Sequence, residues 1–477
     1  MKANIVTMTD SYKFTHAKQY PPGTEKVFSY FESRLGAAYP ETVFFGLQAI
    51  LKEYLTGPRV THADVDEAKA LCDAHIAPGL FNEGGWRHVV EAHGGRLPVR
   101  IRAVPEGAVV PTGNVLMTVE NTDPTCWWLT NFLETLLVQV WYPSTVATQS
   151  RAMKATLRRY LAETADSLDG LPFKLHDFGY RGSTSVESAG MGGMAHLTSF
   201  QGTDTVRGLE YAMRYYPTTD EEGRPKMPGF SIPASEHSTI TAWGREGEVA
   251  AMRNMLEQYP AGLVACVSDS WDIYKACHAW GGELRDAVLA RDGVLVVRPD
   301  SGDPVDVVPK VLDILSQKFG YTTNERGYKV LDPHVRLIQG DGIDAESLGA
   351  ILEAVKRAGY STDNIAFGSG GGLLQKLNRD TQRFAFKCSA VRVGEEWRDV
   401  FKRPATDAGK NSKAGRLTLY RLNDGSYLTG PAGAISMRGR GADVMQTVFE
   451  DGELLVDHAF DEVRARAELP APEPAGV

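Results

Sequence analysis

Apolar and polar positions change rhythm along the chain. Over residues 96–120 the run RLPVRIRAVPEGAVVPTGNVLMTVE alternates apolar and polar side chains around Pro-Glu-Gly and Pro-Thr-Gly turns, the period of antiparallel β-structure. Residues 127–142 are the most apolar stretch, interrupted by Asn131, Glu134 and Gln139. They are too few to span a bilayer and predict a buried helix. A basic amphipathic pattern over 151–160 predicts another helix with a solvated face.

The middle of the chain reads differently. Seven short apolar runs each end in a polar, often Gly-containing loop and are followed by a helical pattern: LHDFGYRGS, LTSFQGTD, GFSIPASEH, LVACVSDS, VLVVRPDSG, RLIQGDG and NIAFGSGGG. Their loops, near Arg181, Asp204, His237, Asp269, Asp300, Asp341 and Gly371, recur every 23 to 41 residues, the length of one β-α unit. The sequence itself does not repeat. This is the rhythm of an α/β fold with an irregular (β/α) barrel, whose loops gather at the C-terminal ends of its strands. After residue 378 the runs FAFKCSAVRV and RLTLYRLNDGSYLTG are again β-like. The expected organisation is an α+β, sandwich-like domain from 1–164, the barrel over 165–378, a return to the first domain over 379–470, and a Pro-rich, disordered tail at 471–477.

Composition narrows the function classes. The 477 residues carry a net charge of −9, against a general nucleic-acid binder, so any anion site must be a local gathering of Arg and Lys. Hydrophobic residues at 43% are too many for a disordered chain. Cys72, Cys126, Cys266, Cys277 and Cys388 lie far apart and offer neither a disulfide framework nor a zinc ribbon, which points to a reducing compartment. Residues 1–20 are polar and lack a signal sequence. A soluble, cytoplasmic protein bound to neither membrane nor nucleic acid is expected.

The strand-end loops present guanidinium groups at Arg181, Arg298, Arg336 and Arg379, carboxylates at Asp204, Asp269, Asp300 and Asp341, and His237. Arg forks match phosphate oxygens, and the Gly-rich turns 340–342 and 368–372 let backbone N–H groups approach an anion where barrels commonly hold phosphate. Carboxylates among the arginines suit ribose hydroxyls and a hard cation such as Mg²⁺. A phosphorylated sugar with a metal fits this mixture. Singly, His237 reads equally as a helix cap, and Gly190-Met191-Gly192-Gly193 breaks the spacing of a dinucleotide fingerprint.

Taken together, HDFGYRG (176–182), GTDT (202–205), PASEHSTITAWG (233–244), SDSWDIYKA (268–276), IQGDG (338–342) and FGSGGGLLQKLNRD (367–380) closely resemble the nicotinamide phosphoribosyltransferase family. So do TDSYKFTHAKQYPPGT (9–24) and VFKRPATDAGKNSKAGRL (400–417). The resemblance runs from residue 4 to about 456. It departs in a shortened surface insertion after Arg34.

The resemblance implies a type II phosphoribosyltransferase that joins nicotinamide to 5-phosphoribosyl-1-pyrophosphate, giving nicotinamide mononucleotide and pyrophosphate in NAD salvage. It also implies a head-to-tail homodimer with shared active sites. Carried over by position, Phe178 and Tyr12 of the partner subunit sandwich the pyridine, with Asp10 in the same partner segment. Asp204 accepts from the carboxamide and Arg298 contacts its oxygen. Asp300, Arg336 and Asp341 hold ribose, with Gly340, Gly370 and Gly371 around the 5′-phosphate. Arg34, Arg379, Lys387, Lys402 and Lys410 of the partner subunit bind phosphate groups. Mg²⁺ lies near Asp269 and Asp300. His237 matches the histidine that ATP, a co-substrate, phosphorylates, with Asp269 as its charge partner.

Nicotinate phosphoribosyltransferase is the nearest alternative, and the Asp204 carboxylate argues against it by repelling a nicotinate carboxylate. A barrel lyase or aldolase would need a Schiff-base Lys at a strand end, and none of the seven loops places one. A non-catalytic binding protein would not be expected to keep His237 and the arginine set.

Overall fold

The computed structural model describes residues 4–406, 411–434 and 439–471. The chain divides into two compact units, one of residues 1–148, 214–218 and 378–467, the other of 149–213, 219–377 and 468–477. The first boundary therefore falls inside the helix Trp141–Thr164, earlier than the expected break at 164/165. Of the expected tail, residues 472–477 lie outside the described residues.

The first unit is built on a seven-stranded sheet in the order Glu396–Asp399, Phe384–Val393, Thr24–Ser33, Val115–Asn121, Val99–Ala103, Gln446–Glu450 and Glu453–Leu454. The strand Thr24–Ser33 pairs antiparallel with both Phe384–Val393 and Val115–Asn121, so the late FAFKCSAVRV run does rejoin the N-terminal sheet. Phe31 and Phe384 stack there at 5.0 Å between centroids. A second sheet places Leu417–Leu422 between Tyr427–Pro431 and Gly441–Asp443.

Residues 127–142 do not make one helix. They form the short helical turns Leu129–Phe132, Glu134–Leu137 and Val138–Val140 before the long helix begins at Trp141. Pro143 supplies the reason: a proline ring clashes with the carbonyl four residues earlier, so it is accommodated in a first turn and not within a continuing helix. The polar interruptions are also engaged elsewhere, Asn131 with Ser29 and Tyr20, and Glu134 with Lys13 at 2.5 Å.

The second unit contains a six-stranded, all-parallel sheet in the order Gly202–Thr203, Leu175–Asp177, Ile365–Ser369, Val335–Gln339, Asp292–Arg298 and Ala261–Val267. The segment 230–234 joins its two edges. Phe230 bridges Gly202, and Ala234 bridges Ala265, both in parallel sense. All seven apolar runs thus line one ring, as the sequence implies, although the third contributes bridges and no full strand. Apolar helices such as Pro304–Phe319 and Ala345–Arg357 follow strands and bury Val308, Val311, Leu312, Leu348 and Ile351. Ala265, Val296 and Ile338 pack together, with Phe178, Ile232, Val294 and Ala366 against them.

Charged groups tie down the N-terminal ends of the strands. Buried Arg291 donates to the carbonyls of Tyr259 (2.9 Å from Nε), Ala261 (3.2 Å) and Gly262 (3.0 Å) at the start of Ala261–Val267. Buried Lys174 pairs with Asp363 at 2.9 Å just before two neighbouring strands, and burial pushes its ammonium below the usual lysine range. No helix among the described residues is long and apolar enough to cross a membrane.

Candidate active site

The C-terminal ends of the parallel strands surround an open cleft of about 1060 Å³, lined by Phe178, Arg181, Asp204, His237, Arg298 and Asp300 among others. Each lies at or just beyond the end of its apolar run, because the chain turns there from buried strand to polar loop.

Phe178 follows Leu175–Asp177 and is fixed by its N–H donating to the Ser369 carbonyl at 2.9 Å. The guanidinium of Arg298, the last residue of its strand, lies 5.7 Å from the Phe178 ring centroid. Arg298 also donates to Asp300 Oδ1 at 3.0 Å. Gly368 has to be glycine for this arrangement, and Gly340 is packed closely against it. A Cβ on Gly368 would meet Phe178 Cε2 at 1.9 Å, and one on Gly340 would meet Asp300 Oδ1 at 3.3 Å and the Phe178 ring at 3.4 Å.

Asp204 is exposed in the cleft and accepts from the Ser231 hydroxyl, while its N–H donates to the Asp177 carbonyl. Beneath it, burial raises the Asp177 carboxyl to about 6, and the negative charge of Asp204 adds to that rise. Burial likewise holds the His176 imidazole below its usual range.

His237 opens the short helix His237–Thr241 between two carboxylates. Its Nε2 lies 3.1 Å from Asp269 Oδ1, and its Nδ1 lies 3.9 Å from Asp300 Oδ2. The Asp269 side chain is only 3% exposed, whereas His237 is 47% exposed. Asp269 Oδ2 accepts from the Asp300 N–H at 3.0 Å and the Ser301 hydroxyl at 2.5 Å. Both Asp269 oxygens are therefore used by the protein itself. Asp300 Oδ2, by contrast, faces the histidine across the cleft and is the carboxylate oxygen suited to a hard cation.

The Gly-rich turn also converges here. Gly370 approaches the Phe178 carbonyl, and Gly371 lies against Gly182 in the turn that carries Arg181. Asp341 is exposed after the strand Val335–Gln339. Arg336 is placed otherwise than the ribose assignment implies. It is the second residue of that strand, and its Nη1 donates backwards to the carbonyls of Asp332 (3.0 Å) and Val335 (2.8 Å). Burial lowers its guanidinium's pKa, with Asp363 and Asp332 opposing the shift. It belongs with Lys174 and Asp363 at the opposite end of the strands.

Of the residues assigned to a partner subunit, all those described lie in the sheet unit. Tyr12 is 56% exposed there, in the turn after Asp10, whose carboxylate accepts from Thr135 at 2.7 Å. Burial lowers the Lys387 pKa, Glu134 opposes this, and Arg34, Lys402 and Arg379 add like-charge repulsion. Four of the expected phosphate-binding cations thus share one neighbourhood. Lys410 lies outside the described residues.

Ser231 and Ser301, the hydroxyls that hold Asp204 and Asp269, are not among the residues the sequence singles out. Ser301 was discoverable, since it follows Asp300 within the RPDSG turn. Ser231 carries no local signal, because its role depends on the ring bringing the third run beside the second.

A model described as the nicotinate phosphoribosyltransferase (NAPRTase) family matches residues 173–453, and one described as the nicotinamide phosphoribosyltransferase N-terminal domain matches residues 4–101. A nicotinamide phosphoribosyltransferase of Xanthomonas campestris pv. campestris is 55% identical over 471 residues, spanning 98% of this chain and 98% of that protein. The chain belongs to the nicotinamide phosphoribosyltransferase family. A second relative so named, from Acinetobacter baylyi, is 34% identical over 98% of this chain and 97% of its own length. A nicotinate-nucleotide pyrophosphorylase from Pyrococcus furiosus superposes with a TM-score of 0.62 at 17% identity, covering 97% of this chain and 95% of that one. Human nicotinic acid phosphoribosyltransferase gives 0.59 at 16%, covering 96% and 92%. These two likenesses establish the type II phosphoribosyltransferase fold, and the chain is an enzyme of this family.

Proposed function

We propose that the chain transfers the phosphoribosyl group of 5-phosphoribosyl-1-pyrophosphate to nicotinamide, releasing nicotinamide mononucleotide and pyrophosphate, and that ATP drives this through phosphorylation of His237. The observation that carries the substrate is a carboxylate at Asp204 in the same cleft as the Phe178–Arg298 pair. A flat pyridine rests on the ring, the amide N–H donates to Asp204, and Arg298 donates to the amide oxygen. Displacement at the anomeric carbon builds oxocarbenium character, so the protein's work is to hold ribose, aim the pyridine nitrogen and receive departing pyrophosphate.

Asp269, held at Nε2, favours the tautomer that leaves the Nδ1 lone pair of His237 as nucleophile. That nitrogen takes the γ-phosphoryl group as ADP leaves. Of the two carboxylates expected near Mg²⁺, Asp300 suits direct contact through Oδ2, while Asp269, with both oxygens occupied, orients His237. Bound there, the cation would neutralise pyrophosphate charge. All five cysteines are free thiols, which suits a cytoplasmic enzyme.

Purified protein assayed with nicotinamide and nicotinate in parallel, with and without ATP, should favour nicotinamide and be stimulated by ATP. Preference for nicotinate would overturn the reading in favour of the acid substrate. Gly368→Ala should push the Phe178 ring out of place and raise KM for the pyridine by about tenfold, the order of one lost aromatic contact, with KM for the phosphoribosyl donor little changed. An unaltered pyridine KM would remove Phe178 from the platform.

The same reading makes the active form a homodimer in which a second copy supplies Tyr12 and the Lys387 cation group. The family resemblance carries this, supported by the exposure of Tyr12 and the gathering of Arg34, Arg379, Lys387 and Lys402 in one unit. Mixing Arg298→Ala with Tyr12→Ala, each nearly inactive, should restore about a quarter of wild-type sites after subunit exchange. A mixture that stays inactive despite exchange would place each site within a single chain.

A further inference from the structure

The sheet unit holds a second group of metal-ligand side chains that uses none of the residues assigned to phosphoribosyl transfer. His88 and His93 lie on the helix Glu83–His93, and His93 is its last residue. The turn after the strand Val115–Asn121 supplies Asp123, the cap of the short turn Pro124–Cys126, and Cys126, its final residue. His88 Nε2 and His93 Nε2 both lie 2.7 Å from the same oxygen, Asp123 Oδ2. The other carboxylate oxygen accepts the Thr125 N–H at 2.8 Å, which fixes the carboxylate's orientation. Cys126 is fully buried beside them.

One nitrogen from each imidazole, a carboxylate oxygen and the Cys126 sulfur all lie within 4.8 Å of one another. Tetrahedral zinc with N, O and S ligands at 2.0 to 2.3 Å needs ligand–ligand edges of about 3.3–3.7 Å. Reaching this requires the two imidazole nitrogens to move off the Asp123 oxygen that they now meet at 2.7 Å, with every donor pair already within 4.8 Å. Among the described residues no Lys or Arg pairs with Asp123; the two imidazoles meet one carboxylate oxygen, and the Thr125 N–H and hydroxyl donate to the other. The side chains of His88, His93 and Asp123 are 37%, 26% and 17% exposed, which leaves a path for an ion to enter.

We propose that His88, His93, Asp123 and Cys126 form a structural zinc site that ties the end of the helix Glu83–His93 to the turn leaving the central sheet. Two neutral histidines, one carboxylate and one thiolate balance the charge of Zn²⁺. Two nitrogens with one sulfur favour zinc over the hard cations that all-oxygen sites select. The cysteine spacing that argues against a zinc ribbon does not bear on this set, which takes only one thiol.

The test uses the full-length chain purified without a histidine tag, stripped with chelator and titrated with zinc chloride in excess magnesium. The expected result is tight binding of a single equivalent per chain and a higher melting temperature with zinc than without. Cobalt(II) in its place should give a thiolate-to-metal charge-transfer band and tetrahedral d–d absorption. His93→Gln, at a partly exposed position that should still fold, should lose the equivalent and the zinc-dependent rise in melting temperature. Cys126→Ser should lose the charge-transfer band, and His237→Ala should keep all three signals. The proposal is overturned if the wild-type chain takes up no stoichiometric zinc or its cobalt form lacks the sulfur band. It is equally overturned if the zinc is lost in His237→Ala and kept in His93→Gln. The cluster is then a hydrogen-bonded staple of two histidines on one aspartate.

Discussion

His237→Ala should abolish transfer of acid-labile phosphate from ATP to the protein, and with it ATP hydrolysis, while some ATP-independent synthesis remains. The imidazole is held between two carboxylates, 3.1 Å from Asp269 and 3.9 Å from Asp300, and it is half-exposed where a nucleotide phosphate can reach it. Alanine removes the nucleophile but leaves the Phe178–Arg298 pair, Asp204 and the Gly-rich turn, so both substrates are still oriented. The ratio of turnover with ATP to turnover without it should fall to about one, since no charge remains to couple the two reactions. The check is phosphate incorporation from labelled ATP alongside both turnover rates. Phosphohistidine recovered from the variant would assign the phosphoryl acceptor to another side chain.

Asp204→Asn should weaken discrimination against nicotinate by a large factor. A nicotinate carboxylate placed where the amide belongs would stand about 4 Å from the Asp204 carboxylate, a repulsion of about 4 kcal/mol at an effective dielectric near 20 and about 1 kcal/mol in bulk water. Because Asp204 is exposed in the free cleft, the expected change lies between these limits, from about 5-fold to about 1000-fold. Asparagine keeps the size and can still accept the Ser231 hydroxyl, so little else should move. The quantity to measure is the ratio of kcat/KM for the two pyridines, and a ratio equal to wild type would show that Asp204 does not read the amide.

Much of this site is legible in the chain because a strand end is easy to recognise. An apolar run followed by Gly, Asp or Arg marks the point where the backbone leaves the ring, and Phe178, Asp204, Asp269, Arg298 and Asp300 all follow such runs. Where the reading fails, a specific piece of geometry intervenes. Arg298 closes its strand while Arg336 is second in its own, and a family match cannot tell which mouth of the ring an arginine faces. The third run forms only bridges because Pro233 lacks the N–H that a ladder needs. The apolar stretch before Pro143 breaks into turns for a related reason. The cluster around Asp123 leaves no trace in the cysteine spacing, since three of its four side chains are not cysteines and the pairs come from separate elements.

The charged clamps at the strand starts bear on how such an enzyme changes over generations. Arg291, Lys174, Asp363 and Arg336 pin the N-terminal ends of the ring through backbone carbonyls and ion pairs, and none of them lines the cleft. The groups that choose a substrate sit on loops at the other ends, where Asp204 is exposed. Selection can therefore act on Asp204 or its neighbours without drawing on the stability that the clamps provide. A change in which pyridine the cleft admits can thus be made on the loops while the clamps keep the ring standing.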